Sequence, residues 1–221
     1  MAKDLLVTPE EYLKSGIHIG TRFRSKGMKK YIYKQRKDGL KVFSIETIDD
    51  RLRLLAKFLA NYDIEKVAVV GRRIFTKTAI EKFCSIVGAK AYTGRFVPGQ
   101  FTNPKAKDFF EPELVFVVES SLDKQAVLEA KKIFVPVVAL SSANNKLTNI
   151  DFVVPCNNKG KKSIGLIFWL LAREYQLAKG IIKSRDDFMH KPEEFEYSGK
   201  VKVARKFLAR RGRRPRRGRR F

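Results

Sequence analysis

The chain has 221 residues, 44% of them hydrophobic, enough for one α/β domain with its own core. Its 47 Lys and Arg against 23 Asp and Glu leave a net charge of +24, which points to a polyanionic partner and salt-sensitive binding. No membrane span or secretory leader is expected: the longest apolar run, residues 164–172, is short and holds Gly165, and MAKDLLVTPEEY lacks an apolar stretch. Cys84 and Cys156 have no metal-ligand spacing and form no disulfide framework, so both read as core thiols in a reducing, cytoplasmic setting.

In chain order, residues 8–13 predict a short helix. Thr8 caps it, Pro9 fits its first position, Glu11 completes a capping box and Gly16 stops it. Gly16-Ile17-His18-Ile19-Gly20 follows, then a basic loop with Arg22, Arg24, Lys26, Lys29 and Lys30. Residues 31–33 and 40–44 predict two strands joined around Asp38-Gly39, a hairpin signal. Residues 48–61 predict an amphipathic helix with Ile48, Leu52, Leu55 and Leu59 on one face.

From there strands and helices alternate. Strands are predicted at 66–70, 89–93, 114–118, 135–140 and 152–154, and helices at 75–87, 123–134 and 163–179. Near-continuous apolar strands interleaved with helices call for a parallel sheet covered on both faces. The expected fold class is α/β, a three-layer doubly wound sheet of five parallel strands with right-handed crossovers. Residues 1–182 read as this domain, with the N-terminal helix and hairpin at 8–44. Residues 183–199, with Asp186, Asp187, Glu193, Glu194 and Glu196, read as a mixed-charge linker.

Residues 200–221 hold twelve Lys and Arg and no acid, so half of the +24 sits on this tail. Like charges at that density exclude a core, and Gly212, Pro215 and Gly218 oppose a regular helix. The tail is expected to be disordered when free and to order against phosphate, through Arg210, Arg211, Arg213, Arg214, Arg216, Arg217, Arg219 and Arg220. A nuclear-localisation signal, an anionic membrane surface and a solubility tail are the competing readings.

Chemistry is sparse. The strand ending at Val70 runs into Gly71-Arg72-Arg73-Ile74-Phe75, with no G-x-G-x-x-G and no Walker lysine, so no nucleotide cofactor is expected. Arg72 and Arg73 read either as phosphate contacts at a helix start or as solvated charge. His18 reads as a buried hydrogen-bonding group and His190 as exposed. With two histidines, no metal site and no catalytic triad can be assembled. Asp49-Asp50 and Glu10-Glu11 read as acids placed for the helix dipole rather than as an acid/base pair.

The loop at 94–104 is the most distinctive stretch of the body: Arg95 with Phe96, Gln100, Phe101, Thr102 and Asn103, stiffened by Pro98, Gly99 and Pro104. It reads either as a rigid loop with its two Phe in the core or as a preformed surface docking on RNA or protein.

Here the chain resembles the universal small-subunit ribosomal protein two family, in its archaeal and eukaryotic form, which includes the laminin-receptor-related protein. The matching pieces are residues 16–20, 94–104, Glu111-Pro112-Glu113-Leu114, residues 135–140, Val154-Pro155-Cys156-Asn157-Asn158 with Ser163, and Leu171-Ala172-Arg173-Glu174. The missing coiled-coil insertion favours the archaeal branch. The Arg-rich end differs from the acidic tail of animal members, so laminin binding is not carried over. The resemblance implies a flavodoxin-like sheet of order 2-1-3-4-5, no enzymatic activity, and no cofactor or small-molecule substrate. It implies a single copy at the junction of head and body of the small subunit, against small-subunit rRNA and neighbouring ribosomal proteins, with no membrane partner. The residues expected on RNA, chosen by charge and loop position, are Arg22, Arg24, Lys26, Lys29, Lys30, Arg72, Arg73, Arg95 and the tail arginines.

Overall fold

The computed structural model describes residues 5–199. The tail, with its eight named arginines, lies outside them. Helix α1, Pro9–Ser15, opens with Thr8 Oγ1 accepting the Glu11 N–H at 3.4 Å, and ends at Gly16 in a left-handed conformation. A 3-10 turn, Gly27–Tyr31, leads into strand β1, Ile32–Gln35, which pairs antiparallel with β2, Lys41–Phe43. Helix α2, Ile45–Ala60, follows.

The sheet then forms as β3, Val67–Gly71, β4, Lys90–Thr93, β5, Leu114–Val117, β6, Val137–Ser141, and β7, Phe152–Pro155. It is parallel throughout, in the order β4-β3-β5-β6-β7. That is the doubly wound order expected from the resemblance. Helices α3, Ile74–Val87, α4, Lys124–Lys132, and α5, Lys161–Ala178, complete the frame. Among the described residues no helix is long and apolar enough to cross a membrane.

The two faces of the sheet are covered unequally. Val67, Val69, Leu114, Phe116, Leu140 and Val154 point into the larger core with the apolar stripes of α2, α3 and α5. Alternate residues, Ala68, Val70, Val115, Val117 and Val137, face a smaller core. Its cover is α4 plus Phe96 and Phe101 from the β4–β5 connection. That crossover has no helix, so two aromatic side chains supply the apolar area a helix would have brought.

Several boundaries differ from the sequence reading. Helix α2 begins at Ile45, so Asp49 lies in its second turn rather than at its start. The dipole reading of Asp49 is therefore corrected. Its carboxylate is buried and accepts the Leu6 N–H at 2.8 Å, the Tyr12 hydroxyl at 2.7 Å and the Arg53 Nε–H at 2.7 Å. It staples the N-terminal segment to α2. Helix α4 stops at Lys132, because Phe134 takes a left-handed φ of 57°.

Within residues 183–199, the 3-10 turn Pro192–Phe195 packs against α3 and α5. Phe195, in the 3-10 turn Pro192–Phe195, is fully buried. Gly165 of α5 permits this, since a Cβ there would sit 3.0 Å from Glu196 Cγ and 3.3 Å from the backbone of Phe195. His190, expected in solvent, is half-buried beside the Phe188 ring, with Nδ1 3.2 Å from Glu194. His18 is also half-buried. Burial lowers its pKa, and its Nδ1 has no hydrogen-bond partner among the described residues.

Candidate nucleic-acid interface

In a parallel sheet every strand delivers its following loop to the same edge, so chemistry scattered along the chain converges there. Here the carboxyl edge gathers Arg72 and Arg73 after β3, Arg95 after β4, Asp123 after β5 and residues 142–148 after β6. The basic loop reaches this edge from outside the sheet. The Ser25 N–H donates to Ala143 O at 2.9 Å and the Ser25 hydroxyl to Asn145 O at 2.7 Å, while Met28 is fully buried beneath. Anchored that way, Arg22, Arg24, Lys26, Lys29 and Lys30 are all exposed. Phe23 between them is 83% exposed, and Tyr33 on the hairpin is 71% exposed. Sequence reasoning passed over these two aromatics, although the alternation Arg22-Phe23-Arg24 carried the signal. Cations alternating with exposed rings suit phosphates and unstacked bases together.

The two candidate arginines after β3 separate. Arg73 pairs its Nε with the buried Glu119 carboxylate, so much of its charge is already matched inside the protein. Arg72 is exposed and joins the exposed Arg95 at a cavity of about 210 Å³ that also takes in Phe96, Leu122, Asp123 and Gln125. Gly71 serves packing: a Cβ there would sit 2.4 Å from Ile80 Cδ1 and 2.9 Å from Thr76 Oγ1, so the glycine lets α3 approach β3.

The 94–104 loop is also divided. Phe96 and Phe101 are buried in an aromatic cluster with Tyr92 and Phe110, their own ring centroids 4.8 Å apart. Thr102 and Asn103 are exposed, and Gln100 is half-buried. The loop is held by Glu129 of α4, a residue that no motif or spacing singles out. Its buried carboxylate accepts the Gly99 N–H at 2.7 Å, the Phe101 N–H at 3.1 Å and the Gln125 amide at 2.7 Å. Glu129→Ala is expected to cost about 2–4 kcal/mol, since buried N–H donors lose a charged acceptor. Amide exchange at Gly99 and Phe101 should accelerate before the sheet opens. Unchanged protection there would show that the aromatic cluster alone holds the loop.

Asp123 is the odd group at this edge. It is 2% exposed, and its oxygens are closed to solvent; neither meets strict hydrogen-bond geometry, although the backbone of Arg72 and of Glu119 lies close enough to favour the charged form. Burial pushes its pKa up to about 6 against the pull of the nearby Arg72 backbone, and the neighbouring Glu119 adds to the rise. A folded-state pKa above the unfolded value means the folded chain holds the proton more tightly. Stability from this group is therefore full below about pH 4 and is lost as pH rises through about 6. Asp123→Asn should stabilise the chain by on the order of 2–3 kcal/mol at pH 7.5 and by little at pH 4. Urea melts of both chains at the two pH values check this; a pH-independent difference would refute it.

Comparison with known proteins agrees with the motif pattern. The family model described as ribosomal protein S2 matches residues 107–178. Among curated proteins, the chain is 43% identical over 220 residues to small ribosomal subunit protein uS2 of Methanococcus maripaludis, covering 97% of this chain and 99% of the relative. It is 43% identical over 193 residues to the protein of that name in Staphylothermus marinus, covering 87% and 88%. Against that of Pyrobaculum calidifontis it is 46% identical over 195 residues, covering 87% and 94%. The chain belongs to the uS2 family of small ribosomal subunit proteins.

The segments that carried the uS2 resemblance are mostly internal fasteners. Asn157 donates its side-chain amide to Gly16 O at 3.1 Å and its backbone N–H to Ile17 O at 2.8 Å, closing β7 onto the Gly16–Gly20 segment. The Ser163 hydroxyl donates to Asn157 O at 2.7 Å. Asn158, fully buried, donates to Val118 O and Leu140 O, each at 3.0 Å, at the ends of two neighbouring strands. Asn145 extends this network, accepting the Ser142 N–H at 2.8 Å and donating to Ser121 Oγ at 3.0 Å. Arg173 donates to Leu6 O at 2.8 Å and stacks 4.6 Å over Trp169. The uS2 motifs thus build the platform and leave the cations around it exposed.

Proposed function

We propose that this uS2-family chain works as an rRNA-binding structural element of the small ribosomal subunit. In this reading the carboxyl edge of the sheet and residues 200–221 lie on small-subunit rRNA. Other faces meet neighbouring ribosomal proteins, with one copy per subunit at the junction of head and body. The observation that carries it is the basic loop: five exposed cations and an exposed Phe23, fixed to the sheet edge through Ser25 and Met28. Arg72 and Arg95 extend the same charge along the edge. The loop's register is set by the fold, so it supplies orientation, while phosphate contacts supply most of the affinity.

The test is sucrose-gradient sedimentation of tagged protein in its native cells at low and high salt. The parent chain is expected to travel with small subunits. Replacing Arg22, Arg24, Lys26, Lys29 and Lys30 by Gln should leave the melt unchanged, because all five are exposed. It should release the chain at lower salt, with the slope of log K against log salt falling by about 0.7–0.9 for each phosphate no longer neutralised. Equal salt sensitivity of the two chains would remove the loop from the interface, and a parent chain at the top of the gradient would discard the reading altogether.

A further inference from the structure

Phe134 lies between the end of α4 and the start of β6, at the amino edge of the sheet and away from the basic loop. Its N–H donates to Lys131 O at 3.2 Å, and the Val135 N–H donates to Ala130 O at 3.0 Å, the paired bonds of a Schellman close. Phe134 fills the left-handed position of that motif, φ 57°, where glycine is the unstrained residue. A bulky side chain there carries strain, and burial does not offset it: the ring is 94% exposed. Glycine or asparagine would close the helix without strain and without a ring in water. The chain therefore presents a phenyl ring on a backbone fixed by two hydrogen bonds.

The ring borders a cavity of about 380 Å³ lined by Val135 and Pro136 together with Lys131, Asn149 and Asp151. Asn149, φ 59°, is the other non-glycine residue with a left-handed backbone among the described residues, so two strained turns meet at this opening. Asp151 is exposed yet fixed, its Oδ2 accepting the Val137 N–H at 2.8 Å. Exposed Asp63, Glu65, Glu111 and Glu113 precede neighbouring strands and offset the lysines of this edge, and Glu113 is bridged to Lys66 at 2.7 Å. The amino edge thus lacks the cation excess of the carboxyl edge. An RNA backbone would gain Lys131 but meet Asp151 and Glu113. A protein surface can set an apolar pocket between a cation and an acid, and buried aromatic anchors dominate such interfaces.

We propose that Phe134 is an anchor that inserts into an apolar pocket of a neighbouring small-subunit protein, rimmed by a cation facing Asp151 and an acid facing Lys131. The inference rests on the small-subunit reading above and assigns one of its protein contacts to the amino edge.

The experiment has two arms. Phe134→benzoylphenylalanine in the full-length chain is irradiated in small subunits from its native cells. The expected product is an adduct that survives nuclease digestion and maps to one other small-subunit protein. An adduct to rRNA, an adduct to a second copy of this chain, or no adduct overturns the inference. In the second arm, Phe134→Gly competes with the parent for small subunits stripped of this protein by high salt. The variant should melt at or above the parent's temperature, because it loses strain and an exposed ring. It should nevertheless bind roughly tenfold more weakly, with an unchanged slope of log K against log salt, since no phosphate contact is removed. Equal binding of the two chains overturns the inference, as does a lowered melting temperature, which would mean that the ring packs on its own domain. If the parent sediments with small subunits while either arm fails, the structural role stands and only the anchor falls.

Discussion

A chain ending at residue 199 is expected to fold normally yet bind the small subunit with a much flatter salt dependence. Residues 200–221 carry twelve cations and no acid, half of the net charge of +24. Each phosphate these cations neutralise releases condensed counterions and adds roughly 0.7–0.9 to the slope of log K against log salt. If about half of the twelve engage RNA, the slope falls by about 4–5, and affinity at moderate salt falls by on the order of a thousandfold. Among the described residues the core ends at Phe195, and the melting temperature is expected to hold. Filter binding of both chains to small-subunit rRNA across a salt series reads the effect. Parallel lines would mean the tail makes no phosphate contacts, and a lowered melting temperature would mean it packs on the domain.

Asn158→Ala should be as damaging as the loss of a large core side chain. Its amide serves the carbonyls of Val118 and Leu140, where β5 and β6 end, inside a region closed to water. Truncation strands two buried acceptors, each costing roughly 1–3 kcal/mol, and leaves a small void. The expected loss is about 2–5 kcal/mol, which for a domain of this size corresponds to a fall of roughly 5–20 °C in Tm. Asn158→Asp sharpens the test. A carboxylate cannot donate, so at neutral pH it sets a charge against two carbonyl oxygens and should cost more than the alanine. Protonation restores one donor, so its penalty should shrink as pH falls towards 4, the sign expected of an acid whose folded pKa is raised. An aspartate variant as stable as the parent at pH 7 would show that those carbonyls find other donors.

The elements of the sheet were legible because their causes are local. Val67 to Val70 and Leu114 to Val117 are apolar at every position, as strands buried on both faces must be, and Gly16, Gly88 and Gly180 end helices where expected. The platform residues were visible as motif, yet their work was not: nothing in Asn157-Asn158 announces that one amide holds Gly16 and the other bridges two strands. Arg72 and Arg73 are adjacent and chemically alike, and only the position of Glu119, 46 residues after Arg73, separates a paired arginine from an exposed one.

The sequence by itself determined the fold class, the strand and helix order, the charge excess and its concentration at residues 200–221, and the family resemblance. Each depends on residue type, period or count along the chain, none of which needs a partner distant in sequence. Tertiary structure alone decided which charges remain available. Parallel strands bring Arg72, Arg95, Asp123 and the anchored basic loop to one edge, while Glu119, Glu129 and Asn158 are consumed in holding that edge together. Burial and hydrogen bonding between residues far apart in sequence fix those assignments, because a polar group withdrawn from water must find its partner wherever the fold places one.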